Sequence, residues 1–350
     1  MNLTKHFQFG AGVIALCTLL TYINLLPSTI SNLLIVITFI IIYLLFSATR
    51  GGFSLLMLLP ITGAFAIIFL NRDPTMISLV LLWLIYDMQR SSQIDIKRVA
   101  RTFFITGCIG YILTLVAYFA IGLNKHADLV MWRVDHLVSR SSLGFQQPNA
   151  SMLYVVSLTL AFVLAYKVTL KQYISALVVI ISLYTLNQSR TGLIISILLL
   201  TVVKFNIKIP VPRLIMIMIA ALSYALMVMP INLKLDEILS GRLTLYHAYS
   251  NQFGIHPIGN PIVANSMIDN GYIQMLLSKG WIFGLFFFIS LLIIAKPHNR
   301  LGTVAFLIYA LSAFTETTFL HLDLLLPVLL ILITTQTNNE TLERSTLETK

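Results

Sequence analysis

Ile30-Ser-Asn-Leu-Leu-Ile-Val-Ile-Thr-Phe-Ile-Ile-Ile-Tyr-Leu-Leu-Phe-Ser47 runs without a charged side chain. A helix needs about 17–25 predominantly apolar residues to cross the hydrocarbon core of a bilayer. Lipid gives no hydrogen bonds to the backbone, so a spanning segment must be a helix or part of a closed barrel. The stretch lacks the alternation of a barrel strand, which leaves the helix. Comparable apolar stretches fall at roughly 9–26, 30–47, 53–70, 75–87, 103–123, 151–166, 173–187, 191–203, 213–229, 280–295, 301–318 and 321–335. The expected fold is an all-α polytopic membrane protein of about 12 transmembrane helices, forming one membrane domain over 1–335. Two outer loops are expected at 124–150 and 230–279, and a disordered cytoplasmic tail at 336–350.

Composition agrees. Of 350 residues, 58% are hydrophobic and 10% charged, against about 25% charged in soluble domains. The mean hydropathy is +0.89. Cytoplasmic N- and C-termini place most of the 23 lysines and arginines inside, together with the whole formal excess of +10. That is the positive-inside pattern, so the basic balance reports topology and gives no support to nucleic-acid binding. Cys17 and Cys108 both fall in apolar stretches, which argues against a disulfide framework or a zinc site. No GxxxxGK[ST], GxGxxG or HExxH segment occurs, so neither ATP-driven work nor zinc chemistry has support, and no metal or cofactor is expected.

The outer side concentrates the reactive residue types. Arg133, Arg140, Arg190 and Arg242 fall there, with five of the seven histidines. Some of these arginines have acids close in sequence: Asp135 for Arg133, and Asp236 or Glu237 for Arg242. Arg190, in Leu186-Asn-Gln-Ser-Arg-Thr-Gly192, has none nearby. An arginine at the head of a span is costly unless it snorkels or binds something. A guanidinium fork holds phosphate through paired charge-assisted hydrogen bonds. Glu316 and Asp323 lie near the outer ends of the last two spans, where only the fold decides whether they meet these arginines.

Four segments share that side. They are Arg140-Ser-Ser-Leu-Gly-Phe-Gln-Gln-Pro-Asn149, Ser189-Arg-Thr-Gly192, Ser240-Gly-Arg242 followed by His256-Pro-Ile-Gly259, and Ile268-Asp-Asn-Gly-Tyr272 running into Lys279-Gly-Trp-Ile-Phe-Gly284. In order and spacing they resemble the O-antigen ligase and polysaccharide polymerase superfamily (Wzy-like proteins). The match covers residues 140–295. The Asp269-Asn270 pair is closer to capsule and exopolysaccharide polymerases than to ligases that carry His-Asn.

The resemblance implies a bundle of the glycosyltransferase-C kind in the plasma membrane of a bacterium. It implies transfer of a glycan from a polyprenyl diphosphate carrier to a sugar hydroxyl of another lipid-linked repeat unit. An O-antigen-type ligase or a lipid-linked oligosaccharide flippase are the alternatives. A chain-length regulator and a flippase are the candidate protein partners. Arg190, Arg242 and Arg140 are the candidate diphosphate ligands, and Asp269 and His256 the candidate bases. Tyr272 is a candidate for stacking on a sugar. Structural roles compete with each: a local ion pair for Arg242, a helix cap for Arg140, Asp269 and Asn149, a turn for His256, an interfacial anchor for Tyr272. Gly280 and Gly284 form a small-xxx-small pair suited to helix packing.

This topology predicts that Arg242→Cys and Asp269→Cys, each in a Cys17→Ala, Cys108→Ala background, react with an impermeant thiol reagent in intact cells. Reaction only after the inner side is opened would overturn it.

Overall fold

A computed structural model of the chain describes residues 3–50, 55–71, 74–90, 94–133, 136–207, 212–239, 241–260, 268–294 and 300–329. The expected tail at 336–350 lies outside them, as do Arg72, Asp135 and Ser240. The helices are α1 (Leu3–Tyr22), α2 (Ser28–Arg50), α3 (Leu55–Asn71), α4 (Ser78–Arg90), α5 (Ile96–Ile121), α6 (Pro148–Ala165), α7 (Leu170–Asn187), α8 (Arg190–Lys204), α9 (Pro212–Val228), α10 (Leu233–Ile238), α11 (Arg242–Phe253), α12 (Gly271–Gln274), α13 (Trp281–Ile294) and α14 (Arg300–Thr315). A last helix covers 322–329. A helix overlies each apolar stretch read from the sequence. Five of them, α1, α2, α5, α6 and α7, are long and apolar enough to cross a membrane, and shorter apolar helices accompany them.

Two features depart from the sequence expectation. The stretch 124–150 contains an antiparallel hairpin, β1 (Leu129–Arg133) and β2 (His136–Arg140), with Leu129 opposite Arg140. The stretch 230–279 is also not wholly a polar loop. It carries α10 and α11, and its last part is buried: Gly271, Tyr272 and Ile273 in α12, then Met275, Leu277, Ser278 and Lys279 in a π-helical turn that leads through Gly280 into α13. The apolar side chains Tyr272, Ile273 and Leu277 explain the burial, because they must leave water.

α6 is apolar on every side and buried on nearly every side, as expected of a helix inside a bundle. α5 packs against both α1 and α6, and α6 packs against α8. These approaches are close because glycine faces them. A Cβ on Gly107 of α5 would lie 2.5 Å from Leu158 Cδ2, and one on Gly192 of α8 would lie 2.5 Å from Met152 Cβ. At the end of the bundle where α2 stops, the buried Asp87 carboxylate accepts from the Tyr43 hydroxyl at 2.9 Å and pairs with Arg50 at 3.6 Å, tying α2 to α4.

The segment 141–147 seals the opposite end. Gly144 has φ +88°, and a Cβ there would also meet Thr114 Cγ2 at 2.7 Å, so only glycine fits without strain. The next residue, Phe145, is fully buried among Tyr22, Tyr111 and Tyr154. Asn124 donates to the carbonyls of Ile23 and Gly144, both at 2.8 Å, which fixes this segment against the end of α1.

Gly192→Ala should lower the apparent melting temperature in detergent, since overpacking a close helix contact costs about 1–3 kcal/mol. Gly12→Ala is the control, as its Cβ meets nothing nearer than 3.8 Å. Equal melting temperatures for the two variants would refute the close α6–α8 contact.

Candidate functional site

Arg140 ends β2 and is almost fully buried. Its Nε donates to the carbonyl of Asn187, the last residue of α7, at 3.3 Å, and its Nη2 donates to Asn149 Oδ1 at 2.5 Å. Asn187 is itself fully buried and holds the same corner: its side-chain amide donates to the carbonyls of Ser141 (2.9 Å) and Pro148 (2.7 Å). The expected helix-cap role of Asn149 is not what forms. Pro148 begins α6 and Gln147 stands at the N-cap, so Asn149 lies inside the first turn. There its Nδ2 donates to Glu316 Oε1 at 2.9 Å. Asn149 thus links the guanidinium of Arg140 to the carboxyl of Glu316.

Glu316 lies in the turn after α14 and is nearly buried. Burial, with the nearby negative charge of Asp269, pushes its carboxyl up to about 8, against the pull of Arg242 and Arg140. Arg242 and Asp269 complete the group. The Arg242 guanidinium meets Asp269 Oδ2 at 3.0 Å, and both side chains are partly exposed. The pairing of Arg242 with Asp236 or Glu237 suggested by the sequence is not what forms. Asp236 is engaged at the start of α11, where Oδ1 accepts from the backbone N–H groups of Leu243 and Thr244 and Oδ2 accepts from the Thr244 hydroxyl. Those bonds, the hydroxyl first, hold its carboxyl below the usual range.

Asp269 does not cap a helix. The cap of α12 is Asn270, whose Oδ1 accepts from the N–H groups of Tyr272 and Ile273 and whose Nδ2 reaches Ser223 Oγ at 3.2 Å. Tyr246 of α11 lies beside this group. Burial, foremost, pushes its phenol up to about 12, and it feels the charges of Arg242, Asp269 and Glu316.

Three candidates fall outside the cluster. Tyr272 faces the core, not a sugar site: its ring is stacked on Phe288 at 5.6 Å and met edge-on by Phe319 at 4.6 Å, and its hydroxyl donates to the carbonyl of Ala310. No open face remains for a sugar, because its neighbours are apolar and its burial is worth more than its exposure. His256 is exposed, and its Nε2 donates to the carbonyl of Phe253 at 2.7 Å. Its own carbonyl accepts from Trp281 N, and Gly259 N donates to Asn71 Oδ1 at 3.2 Å, so this turn docks on the start of α13. Arg190 is exposed at the first turn of α8, and among the described residues no hydrogen bond or ion pair joins it to this group.

The group therefore consists of Arg140, Asn149, Arg242, Asp269 and Glu316, with Asn187 and Tyr246 supporting it. Sequence reasoning missed the bridging role of Asn149 and the place of Asn187 and Tyr246. The available signal was the Pro-Asn at the head of α6: proline takes the first helical position, so the following asparagine has a side chain to spare. Burial favours the neutral form of Glu316, and Asp269 is the carboxylate paired with Arg242. The arrangement can accept an anion beside a carboxylate able to take a proton.

Folding must respond to this carboxyl. The folded state holds the Glu316 proton more tightly than the unfolded chain, whose carboxyl has the ordinary value of 4.5. Its contribution to stability is complete below that value and is lost as pH rises toward about 8. The apparent melting temperature should fall across this window, and Glu316→Gln, which keeps an acceptor for Asn149, should flatten the fall. An equal slope in both proteins would contradict the assignment.

Comparison with family models, with curated proteins and with solved structures finds no match for the chain.

Proposed function

We propose that the chain is a polysaccharide polymerase, working at the outer face of a bacterial plasma membrane. In this reading it crosses the membrane about twelve times as a glycosyltransferase-C-like bundle, with the Arg140–Glu316 end outward. It transfers a glycan from a polyprenyl diphosphate to a sugar hydroxyl of a second lipid-linked repeat unit. The observation that carries the reading is the convergence of Arg140 and Arg242, from distant segments, on the raised carboxyl of Glu316 beside Asp269. The order of the four segments that resemble the polymerase superfamily supports it as well.

The chemistry needs two provisions. The diphosphate gains charge as it leaves, and preorganised guanidinium groups in a partly dry site stabilise that charge. The acceptor hydroxyl must lose a proton as its oxygen attacks the anomeric carbon. In the proposed reaction the diphosphate takes the Arg242 guanidinium from Asp269. The freed Asp269 carboxylate then accepts the hydroxyl proton, a new glycosidic C–O bond forms, and the old anomeric C–O bond breaks with its electron pair on the diphosphate oxygen. Arg140 supports the leaving group from the buried side, held in place by Asn187 and Asn149. The raised carboxyl of Glu316 offsets less of the arginines' positive charge than an ordinary carboxylate would, which favours the anionic donor. His256 and Tyr272 take no part, and the exposed Arg190 is left the minor role of steering the anion.

Arg242→Lys and Arg140→Lys should each lose a factor of about 10² or more in chain formation from purified lipid-linked repeat unit, with normal protein levels. Lysine keeps the charge and loses the planar fork. A plain surface pair is worth about 0–1 kcal/mol, so near-normal rates for Arg242→Lys would leave Arg242 a mere surface partner of Asp269. Cells lacking the protein should accumulate single repeat units accessible to an added lectin from outside. Units confined to the inner leaflet would instead indicate a flippase.

A further inference from the structure

A second feature lies away from the arginine cluster. α5 and α7 flank α6 without closing over it, and the gap between them is a cavity of about 500 Å³. That falls in the range of about 300–1,000 Å³ common for small-molecule sites. Phe104, Leu158, Phe162 and Leu183 line it, and Ile112 and Val179 on its two banks are exposed on the outside of the bundle. The cavity follows α7 from Lys171 to Leu183, about 18 Å at ~1.5 Å per residue. One leaflet of a bilayer offers about half of a ~30 Å hydrocarbon core, so an acyl chain matches this length.

The two ends differ. At the end near the arginine cluster the lining stops at Leu183 and Val155, short of Asn187 and Pro148, and among the described residues that line it there is no cation at that end. At the far end Lys171 lines the cavity from α7. On the other bank the Arg101 guanidinium lies 5.1 Å over the ring of Tyr166, and that ring packs on Phe104 and Phe162 of the cavity wall. Stacking uses the face of the guanidinium and leaves its N–H edge for an anion.

We propose that the cleft between α5 and α7 binds one anionic phospholipid, with an acyl chain along α6 and the phosphate between Arg101 and Lys171. The site is independent of the transfer reaction. The cation in the lining, Lys171, and the neighbouring Arg101 both stand at the end away from the arginine cluster, which favours the phospholipid over a polyprenyl phosphate with its head at that cluster. Basic side chains near a leaflet surface attract anionic lipid, and two of them from separate helices give the cleft a preference for such a headgroup.

Cys108 lines the same cavity, so its reactivity reports occupancy. With Cys17→Ala it is the one thiol of the chain. The purified protein in detergent is treated with a pyrene maleimide in the presence of phosphatidylglycerol, phosphatidylcholine with the same acyl chains, or a polyprenyl monophosphate. Phosphatidylglycerol should slow labelling at concentrations about tenfold lower than phosphatidylcholine. The double variant Arg101→Gln, Lys171→Gln should lose that difference and keep the unprotected rate. Native mass spectrometry of the unaltered chain supplies a second readout: wild type should retain phosphatidylglycerol that the double variant releases. Equal protection by the two phospholipids, a preference that survives in the double variant, stronger protection by the polyprenyl monophosphate, or equal retention of phosphatidylglycerol would each overturn the proposal.

Discussion

A carboxyl buried at the end of an apolar bundle has to be satisfied, and the surrounding architecture follows from how Glu316 meets that demand. An isolated carboxylate in such a place costs several kcal/mol, so it is protonated, paired or hydrogen-bonded. Glu316 combines these answers. Burial pushes its carboxyl up, Asn149 donates to it, and the charges of Arg242 and Arg140 pull the other way. Asn149 stands where it does because Pro148 starts α6, and Arg140 reaches Asn149 because the hairpin brings the chain back across the end of α5. Gly144 and Phe145 then lock the returning segment onto α1 and α5.

The turn that carries Glu316 is held from behind by a second polar group. The Tyr22 hydroxyl lies 2.7 Å from His321 Nδ1 and donates to Asp323 Oδ1 at 3.2 Å, while Ser157 donates to Asp323 Oδ2 at 2.9 Å. Thr318 N and His321 N continue the turn through backbone bonds. Rigid support on this side contrasts with the partly exposed Arg242–Asp269 pair on the other. Such a division fits the proposed reaction, in which one arginine stays in place and the other changes partner.

The sequence carried the helices well, because long apolar stretches leave the backbone no alternative in lipid. The outer placement of the arginines and the resemblance to the polymerase superfamily pointed to Arg140, Arg242 and Asp269, together with Arg190, His256 and Tyr272, which lie apart from the group. The sequence could not give their partners. Neighbours along the chain offered Asp236 or Glu237 to Arg242, yet Asp236 is satisfied by local N–H groups and Arg242 meets a residue 27 positions away. Asn149 meets Glu316 across 167 positions, a distance that only tertiary packing closes. A cap was expected at Asp269, and it is the next residue, Asn270, that takes the two N–H groups of α12. Tyr272 looked like an interfacial aromatic because its apolar neighbours Phe288 and Phe319 lie far along the chain. The hairpin escaped because its strands are five residues each, with no tight Asn-Gly or Asp-Gly turn to announce them.

In the proposed reaction the Arg242 guanidinium exchanges Asp269 for a diphosphate. The affinity of the purified protein for a polyprenyl diphosphate, compared between wild type and Asp269→Asn, tests this most directly. Removing the competing carboxylate should tighten binding, even as it removes the base. Unchanged or weaker binding by Asp269→Asn would show that the diphosphate does not compete for Arg242, and the account of the site would fail.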